Sequence, residues 1–187
     1  SSSSYTIAFW LFVPSDHSQT LTSEFLAQTG FIRLQYLASY CYQLTVNTDS
    51  QQVCPSPQKF SGRWVHHLIS AGTRGLMWYM DGQVILGRTN VNPVITTNPF
   101  VIGTSWTPSV VSSVSMKELR VWNSELTLRE VQEARIRMTG VRSTNLISYW
   151  PMNSHIQFPV MDQNTTRNLE FSAYNSKHAG YGMAVNT

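Results

Sequence analysis

Residues 64–87 constrain the fold more tightly than any other stretch. Trp64-Val65-His66-His67-Leu68-Ile69-Ser70-Ala71 is a run of bulky and β-branched side chains, Gly72-Thr73-Arg74-Gly75 interrupts it, and Leu76-Met77-Trp78-Tyr79-Met80 resumes it. Asp81-Gly82 then parts off a third run, Gln83-Val84-Ile85-Leu86. Such residues suit a pleated, half-buried surface. Asp-Gly between two of these runs signals a two-residue hairpin, because both central residues of that turn need φ > 0. Three successive antiparallel strands are expected.

The rest of the chain reads the same way. Residues 5–14 form an apolar strand ended by Pro14, expected to be buried on both faces or nearly so. Further strands are expected at 21–29, 31–38, 40–47 and 51–54, with Thr48-Asp49-Ser50 as a turn and Pro55, Pro57 and Gly62 in a connector unfit for a central strand. Asn92-Pro93 and Asn98-Pro99 make 88–98 a loop, and strands follow at 100–103, 116–123, 145–152 and 168–174. One short amphipathic helix is expected near 127–138. Thr127 and Glu130 form a capping box, Leu126 can staple onto Val131, and Leu128, Val131, Ala134 or Arg135, and Met138 share a face before Gly140.

The 187 residues fit one domain with a core of its own. Charged side chains make up only 12% of the chain, well below the roughly 25% of ordinary soluble domains. The 13 basic residues, giving a net charge of +3, are too scattered for a nucleic-acid footprint. No run of about 18 apolar residues suggests membrane insertion. Because the chain begins with Ser, it is expected to be a piece of a longer or processed protein. Cys41 and Cys54, thirteen residues apart and flanked by strand-like runs, suit a disulfide closing a hairpin, with two buried thiols as the alternative. Asn164-Thr165-Thr166 is a glycosylation sequon. Both features agree with an extracellular, secreted or cell-surface location.

A strand opening on Trp and a His pair, followed by one ending Tyr79-Met80-Asp81-Gly82, resembles laminin-G-like and pentraxin-like domains of the concanavalin-like jelly rolls. Phe9-Trp10 with Pro14, Phe100-Val101-Ile102-Gly103, Met116 to Asn123 with Glu118 among them, and Leu146 to Pro151 extend the likeness over most of the chain. The resemblance implies an all-β fold, a two-sheet antiparallel jelly-roll sandwich. It also implies a non-catalytic recognition or adhesion module that binds a glycan or an extracellular protein. In that family a segment like 145–152 opens a domain, whereas here it stands late. Residues 146–174 therefore either close the sheets of a domain spanning 1–174 or begin a next repeat, and 175–187 is expected to be a loosely held tail. A structural building block whose edges or tail pair with neighbouring copies is the alternative function.

Weighed residue by residue, catalysis finds little support. The ten acidic residues are isolated, with no Glu-x-Asp-x-Glu run to hold two carboxylates across a cleft. His66 and His67 point to opposite faces of a strand and cannot share a metal without a bulge, so one is expected in the core and its neighbour outward rather than a zinc site. The resemblance implies rim calcium, for which Asp162 and Asn168 are the candidate ligands. Met152-Asn153-Ser154 lacks the acidic charge found at that point in the family, so no cofactor is the expectation. Trp106, Tyr36, Tyr40 and Tyr42 are the candidate sugar platform, since sugar faces stack on aromatic rings. Arg135 and Arg142, with Arg129 and Arg137, are a candidate basic strip for an anionic ligand, weighed against a plain solvated helix face.

Overall fold

A computed structural model describes residues 4–15, 23–28, 31–37, 40–55, 60–89, 100–102, 114–136, 145–151, 160–161, 168–173 and 181–185. They form two antiparallel sheets and one helix. The six-stranded sheet runs edge to edge as β11 (Leu146–Trp150), β10 (Ser115–Trp122), β1 (Tyr5–Phe12), β6 (Trp64–Gly72), β7 (Gly75–Met80) and β8 (Gln83–Arg88). The eight-stranded sheet runs as β12 (Val160–Met161), β13 (Asn168–Ala173), β14 (Tyr181–Val185), β9 (Phe100–Ile102), β2 (Ser23–Gln28), β3 (Ile32–Tyr36), β4 (Tyr42–Val46) and β5 (Asp49–Val53). The expected all-β, two-sheet architecture is what the chain adopts.

Alternation decides which side chains meet between the sheets. β1 and β6 contribute Ile7, Phe9, Leu11, Val65 and Ile69, while β3 and β4 contribute Leu34, Tyr36, Tyr42 and Leu44. His67 lies in this layer with no exposed surface. Its ring stacks on Phe9 at 5.3 Å and meets Tyr42 at 5.2 Å and Trp78 at 6.0 Å. Among the described residues neither of its ring nitrogens has a hydrogen-bond partner.

The first sheet is apolar on its outer side too, and this side needs a cover. α1 (Leu128–Ile136) supplies it, packing Val131 and Ala134, with Leu126 just ahead of the helix, over Ala8, Leu68, Tyr79 and Trp122. The capping box forms as expected. The Thr127 N–H donates to Glu130 Oε2 at 2.7 Å, and the Glu130 N–H donates back to Thr127 Oγ1 at 3.4 Å. Two expectations change here. Leu128 is 57% exposed rather than on the packed face, because Leu126 fills that place. His66 is not outward in solvent, because the helix-covered face buries it against Trp10.

The hairpins follow their turn chemistry. Asp81 and Gly82 both have positive φ, as their sequence demands, and so does Asn47, which moves the β4–β5 turn to Asn47-Thr48 from the expected 48–50. At Gly75, also at positive φ, a Cβ would fall 1.9 Å from the Arg88 carbonyl oxygen, so β7 and β8 approach too closely there for any side chain. Cys41 and Cys54 form the disulfide, closing the open end of the β4–β5 edge hairpin. β11 pairs with β10, and β12 to β14 pair with one another and with β9, all within this chain. β14 lies inside the stretch read from sequence as a loose tail.

Burial, above all, holds both His66 and His67 down at about 3, against 6.5 for a free histidine. The unfolded chain therefore takes up these protons first. Stability is full above pH 6.5 and drains as pH falls toward 3, by roughly 1.4 kcal/mol per pH unit per histidine. Denaturant midpoints measured from pH 8 to 5 should fall steeply below 6.5, and less steeply in His67→Phe; a flat profile contradicts the buried neutral pair. Replacing both cysteines with Ser should cost about 3 kcal/mol in the same assay.

Candidate functional site

α1 covers only part of the outer side of the first sheet. Past it, β1 and β6 present Trp10, Phe12 and Trp64, all half-buried where the odd-numbered residues of β1 are fully buried. Phe12 and Trp64 are cross-strand partners with ring centroids 5.7 Å apart. Trp10 stands edge-on to His66 at 5.2 Å. Trp10 and Phe12, two residues apart on one strand face, are separated by about 6.8 Å of strand.

A β-bulge brings a cation to this patch. β10 pairs with β1 so that Arg120 opposes Ala8 while Lys117 opposes Trp10, leaving Glu118 and Leu119 together opposite Phe9. Glu118 takes φ +57°, an unusual conformation for a side chain of its size. Strict alternation would put Lys117 and Arg120 on opposite faces; the extra residue sends both outward while Leu119 stays in the core. Lys117 Nζ then rests 4.2 Å from the Trp64 ring centroid and makes no ion pair among the described residues.

The bulge is held by a buried ionic network. Glu118 Oε2 accepts from Arg120 Nη2 at 2.7 Å and from the Tyr149 hydroxyl at 2.6 Å, and the Glu118 N–H donates to the Pro151 carbonyl at 3.0 Å. Arg120 Nη1 also reaches the Ala134 carbonyl at 3.2 Å, satisfying an open carbonyl at the helix end. Burial first, then the Glu118 carboxylate, pushes the Tyr149 hydroxyl up to about 12, so Tyr149 stays a donor at every physiological pH.

The opposite flank is built on Asp81. Its carboxylate accepts the His66 N–H at 3.0 Å and Arg63 Nη2 at 2.7 Å. Burial opposes its ionisation, but the His66 N–H, Arg63 and Arg135 outweigh that and hold it below the usual carboxylate range. The hairpin's carbonyls bind the helix, Asp81 O taking Arg135 Nη1 at 2.5 Å and Gly82 O taking Gln132 Nε2 at 3.0 Å. A Cβ at Gly82 would meet Gln132 at 2.7 Å, which is the second reason for glycine there.

The residues chosen from sequence lie elsewhere. Tyr36 and Tyr42 are 3% and 1% exposed and meet edge-on at 4.9 Å inside the core, so they cannot stack on a ligand; their strand parity matches Leu34 and Leu44. Tyr40, at φ +60°, is half-buried against that core. Arg135 is engaged with Asp81, and Arg129 pairs with Glu133 at 3.0 Å. Trp106, Arg137, Arg142, Asp162 and Asn164 lie outside the described residues, and Asn168 is the first residue of β13. Among the described residues no three His, Cys, Asp or Glu side chains converge as a metal site. No helix among them is long and apolar enough to cross a membrane. Sequence reasoning missed Trp10, Phe12, Trp64 and Lys117. The parity of Trp10 and Phe12 with Thr6 and Ala8 was the available signal for the first two; Lys117 depends on a bulge that alternation hides.

The outer face of the second sheet differs in kind. β3 to β5 present Arg33, Gln35, Gln43, Thr45, Ser50 and Gln52 there, tied by bonds such as Thr45 Oγ1 to Ser50 Oγ at 2.8 Å. Glu24 is buried beside them and paired with Arg33 at 2.7 Å. These three strands bring no aromatic ring to that face.

With this geometry in hand, a family profile described as the concanavalin A-like lectin/glucanases superfamily, of the laminin G type, matches residues 1–132, well over half of the chain. The chain belongs to this superfamily. A comparison with curated proteins finds no match. Among solved structures, a Bacteroides ovatus protein provisionally described as carbohydrate binding superposes with a TM-score of 0.68 at 17% identity, over 89% of this chain and 51% of the other. This chain thus spans about half the length of that protein. Domain 4 of the arabinanase AbnA from Geobacillus stearothermophilus, in complex with arabinotriose, gives 0.51 at 19% identity over 72% and 68%. Trypanosoma rangeli sialidase gives 0.55 at 18% identity over 70% of this chain and 22% of the enzyme. At these identities the superpositions establish the superfamily's fold.

The buried pair predicts strong coupling. Glu118→Ala should cost on the order of 3–5 kcal/mol by leaving Arg120 buried without its partner, and the double variant with Arg120→Met should cost less than the sum of the singles. Additive losses in chemical denaturation contradict the network.

Proposed function

We propose that the chain is a non-catalytic, extracellular glycan-binding module whose ligand lies on the Trp10, Phe12 and Trp64 face. The carrying observation is that three aromatic rings stay half-buried on one sheet face, flanked by fixed charges, while the other large aromatics around His67 fill the core. Pyranose rings have apolar faces that stack on such rings, and neighbouring polar groups then select the hydroxyls. Superfamily membership supports this reading, and so do superposed proteins described as carbohydrate binding or held with an arabinose oligomer.

The absence of catalysis is part of the proposal. Asp81 and Glu118, the carboxylates nearest the face among the described residues, are each tied to an arginine, and neither is free to share a proton with a sugar oxygen. A disulfide on an edge hairpin fits an oxidising compartment.

Titration calorimetry against a panel of oligosaccharides should find a ligand whose affinity falls at least tenfold in Trp10→Ala. Gln43→Ala, on the opposite sheet, should bind as the parent does, and the ligand should be recovered uncleaved after long incubation. Full affinity in the Trp10 variant, equal loss in the Gln43 variant, or a shortened ligand contradicts the reading.

A further inference from the structure

We propose that the sugar taken by this face is an acidic one, bearing a carboxylate on its pyranose ring, and that Lys117 pairs with that carboxylate. The proposal deepens the glycan-binding reading and rests on it. Three observations carry it.

The first is the bulge. The chain holds Glu118 at a positive φ that disfavours a glutamate, and anchors it with Arg120, Tyr149 and Pro151. Strain of this kind persists only where surrounding contacts enforce it, and bulges recur where a side chain must be re-aimed. Here the side chain re-aimed is Lys117, which arrives directly across from Trp10.

The second is the charge around the patch. Among the described residues, Arg63, Lys117, Arg120 and Arg135 stand against Asp81 and Glu118, four cations to two carboxylates, with His66 neutral. The three arginines have partners: Arg63 pairs with Asp81, Arg120 with Glu118, and Arg135 with the Asp81 carbonyl. Lys117 has only the Trp64 ring among the described residues. An ammonium group on an aromatic face, unmatched by any carboxylate among the described residues, draws an anion to that edge of the patch.

The third is scale. Trp10 and Phe12 sit about 6.8 Å apart along the strand, roughly the footprint of one sugar ring. A ring stacked there has its edge beside Lys117, within reach of a compact point charge.

Titration calorimetry on the whole chain at 50 and 300 mM salt, with trigalacturonic acid, galactotriose and a sulfated galactotriose as probes, tests this. The acidic trimer should bind at least tenfold more tightly than the neutral one at low salt. That advantage should disappear in Lys117→Gln, persist in Lys117→Arg, and shrink at high salt. Trp10→Ala should lose both sugars, and the melting temperature of Lys117→Gln should match the parent's. Equal binding of neutral and acidic trimers, lost in Trp10→Ala, overturns the acidic assignment while leaving the glycan reading intact. Tighter binding of the sulfated trimer overturns the carboxylate assignment, and no binding by any of the three overturns both readings.

Discussion

A sheet that is apolar on both faces needs two covers, and the rest of this molecule follows from that requirement. β1 is one of the two central strands of the first sheet, bonded to β6 on one side and β10 on the other, with Ile7, Phe9 and Leu11 facing the second sheet and Ala8, Trp10 and Phe12 facing away. The second sheet is one cover and α1 the other. A helix of nine residues spans only about 13 Å, too short to hide that whole face. What it leaves is the aromatic patch, so the proposed binding face is the remainder of an incomplete covering.

The same requirement explains the charges. The helix ends over the sheet and leaves carbonyls open; Arg120 takes one of them, and Arg135 and Gln132 bind the helix to the β7–β8 hairpin. An arginine buried for that purpose needs a carboxylate, and Glu118 provides it from within the bulge. Holding the helix and turning Lys117 outward are thus consequences of one local irregularity. Buried ion pairs seldom add much net stability, but they make a particular arrangement hard to exchange for another.

Much of the fold was legible because its signals are local. Alternating apolar residues gave the strands, Asp81-Gly82 the hairpin, Thr127 with Glu130 the helix start, and the family likeness the sandwich. The patch was harder to read. A tyrosine such as Tyr42 looks the same in sequence whether its ring points into the sandwich or out; only parity with Leu44 shows that it points in. Lys117 was harder still, since its direction depends on one extra residue in β10 and on contacts with Tyr149 and Pro151 more than thirty positions away. His66 misled for a related reason: alternation placed it on the outer face, but only the docked helix and Trp10 show that this face is buried at that point.

Superfamily membership fixes the two-layer frame and leaves the choice of face open, because both outer faces could carry a ligand: one by ring stacking, the other by the amides and hydroxyls of β3 to β5. Indole resonances separate the two directly. Two-dimensional proton–nitrogen spectra recorded during an oligosaccharide titration should show the Trp10 and Trp64 side-chain signals moving with saturation, while those of the buried Trp78, Trp122 and Trp150 stay in place. Unmoved Trp10 and Trp64 signals, with shifts instead at the side-chain amides of Gln35, Gln43 and Gln52, would contradict the account.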